Sequence, residues 1–212
     1  MAKQTALTRD RIISTAITLL DRGGQKNFSM RKLAAEFGVD PMAIYYHIPS
    51  RAALMSHVVD AVVSQCELPL PEASWQQTCK SVCHGFRQLA HRHPGVIQVF
   101  DKFEDWVPAE HRINEALHQA LQDGGFDNQL TVRAARLLLA YTENFCAWEL
   151  NDWITPYTVE MRSELVDSLA QGDFPLTTRL VDDMVNIDPD AEFEFGLEVL
   201  IRGLEASGLP AS

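Results

Sequence analysis

The sequence predicts an all-α protein, and three observations predict it. Apolar residues recur at spacings of three and four through most of the 212 residues, and no stretch alternates for long enough to make a half-buried strand. Helix-opening residues stand just ahead of those periodic runs: Thr8, Ser29, and Asp40 followed by Pro41. Between the runs, breaks fall at Gly23-Gly24, Gly38, Pro49-Ser50, Gly124-Gly125 and Asp188-Pro189.

Thr8 caps a first helix that buries Ile12, Ile13, Ala16, Leu19 and Leu20 and ends at Gly23-Gly24. Ser29 caps a short second helix with Met30, Leu33, Ala34 and Phe37 inward, and Gly38 turns the chain sharply. Asp40-Pro41 opens a third helix reaching about His47, and a fourth runs from Arg51 to about Cys66. The two prolines of Leu68-Pro69-Leu70-Pro71 make a short, stiff boundary. The expected domains are therefore 1–66 and 67–212. Beyond the boundary, helices are expected at about 74–92, 95–105, 109–123, 127–153, 158–171, 175–186 and 190–207.

Net charge is −11, an unpromising figure for a partner of nucleic acid, but its distribution is uneven. Residues 1–66 carry eight basic against five acidic residues, whereas the remainder carries 10 against 24. That pattern suits a polyanion-binding head on an acidic body. Four scattered cysteines (Cys66, Cys79, Cys83, Cys146) make no disulfide framework or zinc quartet. They read as small apolar core residues. His111, Glu115 and His118 share a helix face at a spacing open to metal, but exposed helix faces gather such residues readily, so no metal or other cofactor is expected. The sequence has no apolar run of membrane-spanning length and no secretory signal, so the expected compartment is the cytoplasm and no membrane partner is expected. It also lacks G-x-S-x-G, H-E-x-x-H and any phosphate-binding glycine loop, which argues against an enzyme.

Residues 29–47 suggest DNA binding directly. Two short helices across a glycine turn can present the second to a major groove. On that second helix Val39 and Ile44 point inward, leaving Met42, Ala43, Tyr45, Tyr46 and His47 outside or at the edge. Adjacent outward tyrosines need a cover, which phosphates would supply; a core aromatic pair in a small bundle is the other reading.

The stretch from Ser29 to Leu54 resembles the DNA-binding region of the tetracycline-repressor family. It has the Leu33-Ala34 pair, the Gly38-Val39 turn, the Tyr45-Tyr46-His47 cluster, and the basic Arg51 four residues beyond that histidine. The resemblance implies DNA contacts from Ser29, Arg31, Pro41, Met42, Ala43, Tyr45, Tyr46, His47 and Arg51. Arg31 would reach a base edge; Pro41, Met42 and Ala43 would make apolar contacts such as to a thymine methyl. Tyr45, Tyr46 and His47 would lie at phosphates or the groove edge, and Arg51 at a phosphate beside a helix N-terminus.

The last helix carries an apolar stripe of Phe193, Leu197, Leu200, Ile201 and Leu204, with Gly196 and Gly203 beside it. Such a stripe can pack within its own chain. Its similarity to the last helix of the tetracycline-repressor subgroup implies a four-helix dimer interface instead, with Leu138 and Phe145 from the 127–153 helix. The resemblance thus implies a homodimer that binds a palindromic double-stranded operator and releases it on binding a small-molecule effector. The sequence alone leaves open a helical dimer that binds ligand without binding DNA. A ligand cavity is expected among Phe86, Phe100, Phe103, Trp106 and Trp148, with His57, Gln98, Glu143 and Asn144 as polar anchors. Family members that hold a magnesium–tetracycline chelate use a histidine where this chain has Gln98, Val99 and Phe100, so a different ligand is expected.

Overall fold

The computed structural model describes residues 7–68, 73–100 and 106–208. Among them are twelve helices and no strand: α1 Arg9–Asn27, α2 Met30–Phe37, α3 Pro41–His47, α4 Arg51–Val63, α5 Trp75–Arg92, α6 Pro94–Phe100, α7 Pro108–Asp123, α8 Asn128–Leu150, α9 Val159–Leu169, α10 Pro175–Arg179, α11 Val181–Val185 and α12 Pro189–Gly208. The Pro69–Pro71 part of the expected boundary, and the expected helix beyond Phe100, lie outside the described residues.

Local chemistry sets most helix starts. The hydroxyls of Thr8, Ser29 and Ser50 and the carboxylate of Asp40 each accept a first-turn backbone N–H, as expected of N-caps. Ser74 and Gln77 form a reciprocal capping box on α5. The helical run of α1 breaks at Gly24, as expected, where φ 65° and ψ 173° are not helical, and a short further turn carries the element on to Asn27. One expectation needs correction. The expected 175–186 helix is two short helices meeting at Leu180, whose φ/ψ of −93°/2° departs from the helical values.

The chain divides into two compact units, the first reaching Glu143 and the second covering Asn144–Ser207. In the first, Ile12, Ala16 and Leu20 of α1 share a core with Leu33 of α2, Ile44 of α3, and Leu54 and Val58 of α4. At roughly 1.5–3 kcal/mol for each fully buried aliphatic side chain, this core holds three helices too short to be stable alone.

Deeper in the same unit, α6 lies hard against α1. A Cβ on Gly95 would sit 2.0 Å from the Leu20 carbonyl oxygen, so only glycine fits. Asp21 locks the contact: its Oδ1 accepts from the Gly95 N–H at 3.2 Å, and its Oδ2 accepts from His93 Nδ1 at 2.8 Å. Cys79 and Cys83 are buried free thiols on α5, and burial pushes their pKa values up to about 12 and about 11. They are apolar fillers in the protonated state.

In the second unit the end of α8 packs on α12, with the Phe145 and Phe193 rings 5.2 Å apart and edge-on. α9, α10 and α11 bury little beyond Val181. No described helix is long and apolar enough to cross a membrane.

Candidate nucleic-acid interface and ligand cavity

The head presents a short helix by stiffening everything around it. Gly38 closes α2 in the left-handed region (φ 66°, ψ 31°), and its N–H reaches the carbonyls of Ala34 and Ala35. Two residues later Asp40 accepts from Met42 N–H at 2.8 Å while Pro41 fixes φ at the first helical position. α3 is anchored through Ile44, which is fully buried, and Val39 is half-buried. Outward stand Met42 at 71% and Tyr46 at 90% exposure, with Pro41, Ala43, Tyr45 and His47 half-buried around them. The Tyr46 and His47 rings meet edge-on at 5.5 Å.

Cations flank this face. Arg31 is exposed on α2. The Arg51 guanidinium lies over the Phe28 ring at 5.9 Å, next to the α4 N-terminus that Ser50 caps. Ser29 spends its hydroxyl on the Lys32 N–H, and Lys32 ties its ammonium to the Asn27 carbonyl at 2.8 Å. The result is a rigid, positively flanked ridge with an apolar crest.

A cavity of about 600 Å³ opens elsewhere in the first unit. Its aromatic end is made by Phe86 of α5 and Phe100 of α6, 5.7 Å apart, together with Trp106 and Val63 of α4. Trp106 is 68% exposed and stacks on the His111 ring at 5.6 Å, nearly parallel. The other walls mix polar and apolar side chains: Glu110, His111, Asn114 and His118 beside Ile113 from α7, and Arg136 and Glu143 beside Val132, Ala135 and Leu139 from α8. Burial raises the Glu110 pKa, and the bond it accepts from Val107 N–H at 2.7 Å opposes the shift. A smaller, polar cavity of about 280 Å³ shares His118 and Val132 with it.

The model of the bacterial regulatory proteins, tetR family, matches residues 12–58, and that of the tetracyclin repressor-like C-terminal domain matches residues 68–207. The chain belongs to the tetracycline-repressor family. As a tetracycline-repressor family protein it is a ligand-responsive, DNA-binding transcriptional regulator. The HTH-type transcriptional repressor DrrR1 of Streptomyces coeruleorubidus is 26% identical, over 94% of this chain and 77% of its own. Tetracycline repressor protein class E of Escherichia coli is 26% identical over 94% and 92%. The solved structure of ActR from Streptomyces coelicolor in complex with actinorhodin matches with a TM-score of 0.84 at 27% identity, covering 97% of this chain and all of that one.

Within this tetracycline-repressor family framework, the DNA-contact residues expected from the sequence fall on α2, its cap Ser29, α3 and, for Arg51, the first position of α4. The ligand residues scatter. Phe86, Phe100, Trp106 and Glu143 line the large cavity, whereas Gln98 is exposed on α6 and does not. His57 sits on α4 and accepts from the Arg9 guanidinium. Asn144 and Trp148 belong to the second unit, and Phe103 lies outside the described residues. The α7 wall was missed, although the spacing of His111 and His118 had already marked that face. Among the described residues no group of three or more His, Cys, Asp or Glu side chains is placed to hold a metal ion.

Of the residues expected at a dimer interface, Leu138, Phe145, Phe193, Leu197, Ile201 and Leu204 are buried inside the single chain. Gly196 and Leu200 are half-buried and Gly203 is exposed. Turned away from the core on α12 are Phe195 at 70% and Val199 at 52% exposure.

Proposed function

We propose that the protein is a homodimeric repressor in which residues 1–66 read a palindromic operator and residues 67–212 dimerise and bind an aromatic effector that releases the DNA. The observation that carries the reading is the α3 crest: Met42 and Tyr46 stand in water on a helix that Asp40, Pro41 and Ile44 hold rigidly. Large exposed side chains on a stiff short helix, flanked by Arg31 and Arg51, fit a major groove. Arginine would supply guanine recognition and the tyrosines phosphate contacts. Two such helices in a dimer would span successive grooves roughly 34–36 Å apart.

The dimer face we assign is the outer side of α12, carrying Phe195, Val199 and Gly203, with Trp148 of α8 in the same unit. Among the described residues, nothing beyond its own stretch of helix comes within 4 Å of a Cβ placed on Gly203, so the described fold does not require glycine there. Close approach by a second copy does. For the effector we assign the cavity ending in Phe86, Phe100 and Trp106, with Arg136 as the partner for an acidic or phenolic oxygen. The actinorhodin complex of ActR supports a fused aromatic ligand of this kind. No catalytic role is assigned, and the site of action is the cytoplasm, where operator DNA lies.

The test is selection from random duplexes, followed by anisotropy at several salt concentrations and then with added actinorhodin. A recovered palindrome whose log affinity falls steeply with log salt, and which actinorhodin releases, is the expected result. No enrichment at low salt would overturn the DNA reading. A palindrome unaffected by actinorhodin would overturn the effector class.

A further inference from the structure

α7 has Glu110 reaching back to the Val107 N–H, but no N-cap side chain of its own accepts from its first-turn N–H groups. Val107 at its N-cap has no polar side chain, and Pro108 has no N–H to satisfy. The Ala109 N–H is instead taken by Asp60 Oδ1 at 2.9 Å, from the far end of α4 and 49 residues away in sequence. One turn further along α4, Ser64 Oγ accepts from Arg112 Nη2 at 2.7 Å. The end of α4 is therefore pinned twice to the first turn of α7. That same turn sends Glu110 and His111 into the cavity wall, and Val63 of α4 lines the cavity beside them. At its other end α4 begins with Arg51 on the proposed DNA face, about 14 Å away at 1.5 Å per residue.

We infer that Asp60 is a positioning residue that couples the cavity to the DNA face, by capping α7 from α4 so that the two helices move as one. The inference rests on the DNA reading proposed above. Coupling between two sites is reciprocal. Occupying the DNA face must therefore alter the first turn of α7, with no effector needed to see it. An aspartate that served only as a structural cap would affect melting and would not transmit that change.

Amide hydrogen exchange across residues 109–113 of the full-length dimer, with and without the selected duplex, tests this. Saturating duplex should change exchange there at least fivefold in the wild type. Asp60→Asn should keep the change, because its amide oxygen accepts the same N–H, and Asp60→Ala should abolish it while the protein still binds the duplex. An unchanged wild-type segment at saturating duplex overturns the coupling and leaves the DNA reading intact; so does a full response in Asp60→Ala. Should Asp60→Ala fail to fold, Arg112→Ala replaces it and must reduce the response for the inference to stand. A wild type that binds no duplex overturns the DNA reading, and the coupling with it.

Discussion

The reading head and the ligand cavity are built in opposite ways. Every proposed DNA contact lies between Ser29 and Arg51, on short helices whose caps sit in the same stretch of chain. The cavity takes its walls from α4, α5, α6, α7 and α8, spread from Val63 to Glu143. A surface assembled from neighbours in sequence can be read by spacing alone. One assembled from five helices depends on how those helices pack, which a single sequence does not spell out.

The largest expected effect strikes where the two regions meet. Gly95→Ala puts a methyl carbon into the Leu20 carbonyl, and backbone cannot swing aside as a side chain does. A loss of about 3 kcal/mol, the upper end for overpacking, should show in thermal unfolding. An unchanged midpoint would mean that α1 and α6 are not in the contact described. Next comes separability. Arg31→Ala should weaken the selected duplex by about 2 kcal/mol, roughly thirtyfold, and relax preference at one base pair, with effector affinity untouched. If both affinities fall together, the head is not the self-contained reader its local construction implies.

Trp106→Ala is the converse. Loss of the stacked ring should cost about 1 kcal/mol of actinorhodin binding, roughly fivefold, and leave ligand-free operator affinity alone. The smallest effect is on acid stability. Burial first, and the Arg9 guanidinium second, lower the His57 pKa below its ordinary 6.5, with Asp60 opposing. The unfolded chain thus takes up a proton before the folded one as pH falls. Stability is full above 6.5 and declines below it until the folded imidazole also titrates. His57→Gln should flatten the difference in melting between about pH 7.5 and about pH 5.5. A slope equal to the wild type's would assign the acid sensitivity to other groups.

What the sequence made legible follows the same division. Ser29, Gly38 and Asp40-Pro41 each act on backbone within a few residues, so the helix-turn-helix emerged nearly whole. The short continuation from Gln25 to Asn27 did not, because three residues are too few to show a period. Periodicity correctly found that α12 has an apolar stripe through Phe193, Leu197, Ile201 and Leu204. It could not say that this stripe is covered within the chain while Phe195 and Val199 remain outside. A helix with apolar residues on two faces carries two overlapping patterns, and the stronger one masks the other. His111 and His118 were noticed for a spacing open to metal. Their role as cavity wall appears only once α8 lies opposite.

Gly203 has a consequence for abundance. A glycine inside α12 costs about 1 kcal/mol against alanine, and no close approach among the described residues requires it. On the proposed dimer face Phe195 and Val199 also stand in water in the single chain, so that proposal makes the separated protomer the poorer fold, with a stability that follows mass action. Dilution should therefore lower the melting temperature. In a cell, the number of copies would decide how much protein survives folded as well as how many operators are filled, so a falling supply of the regulator would lose occupancy more steeply than in proportion to its copy number.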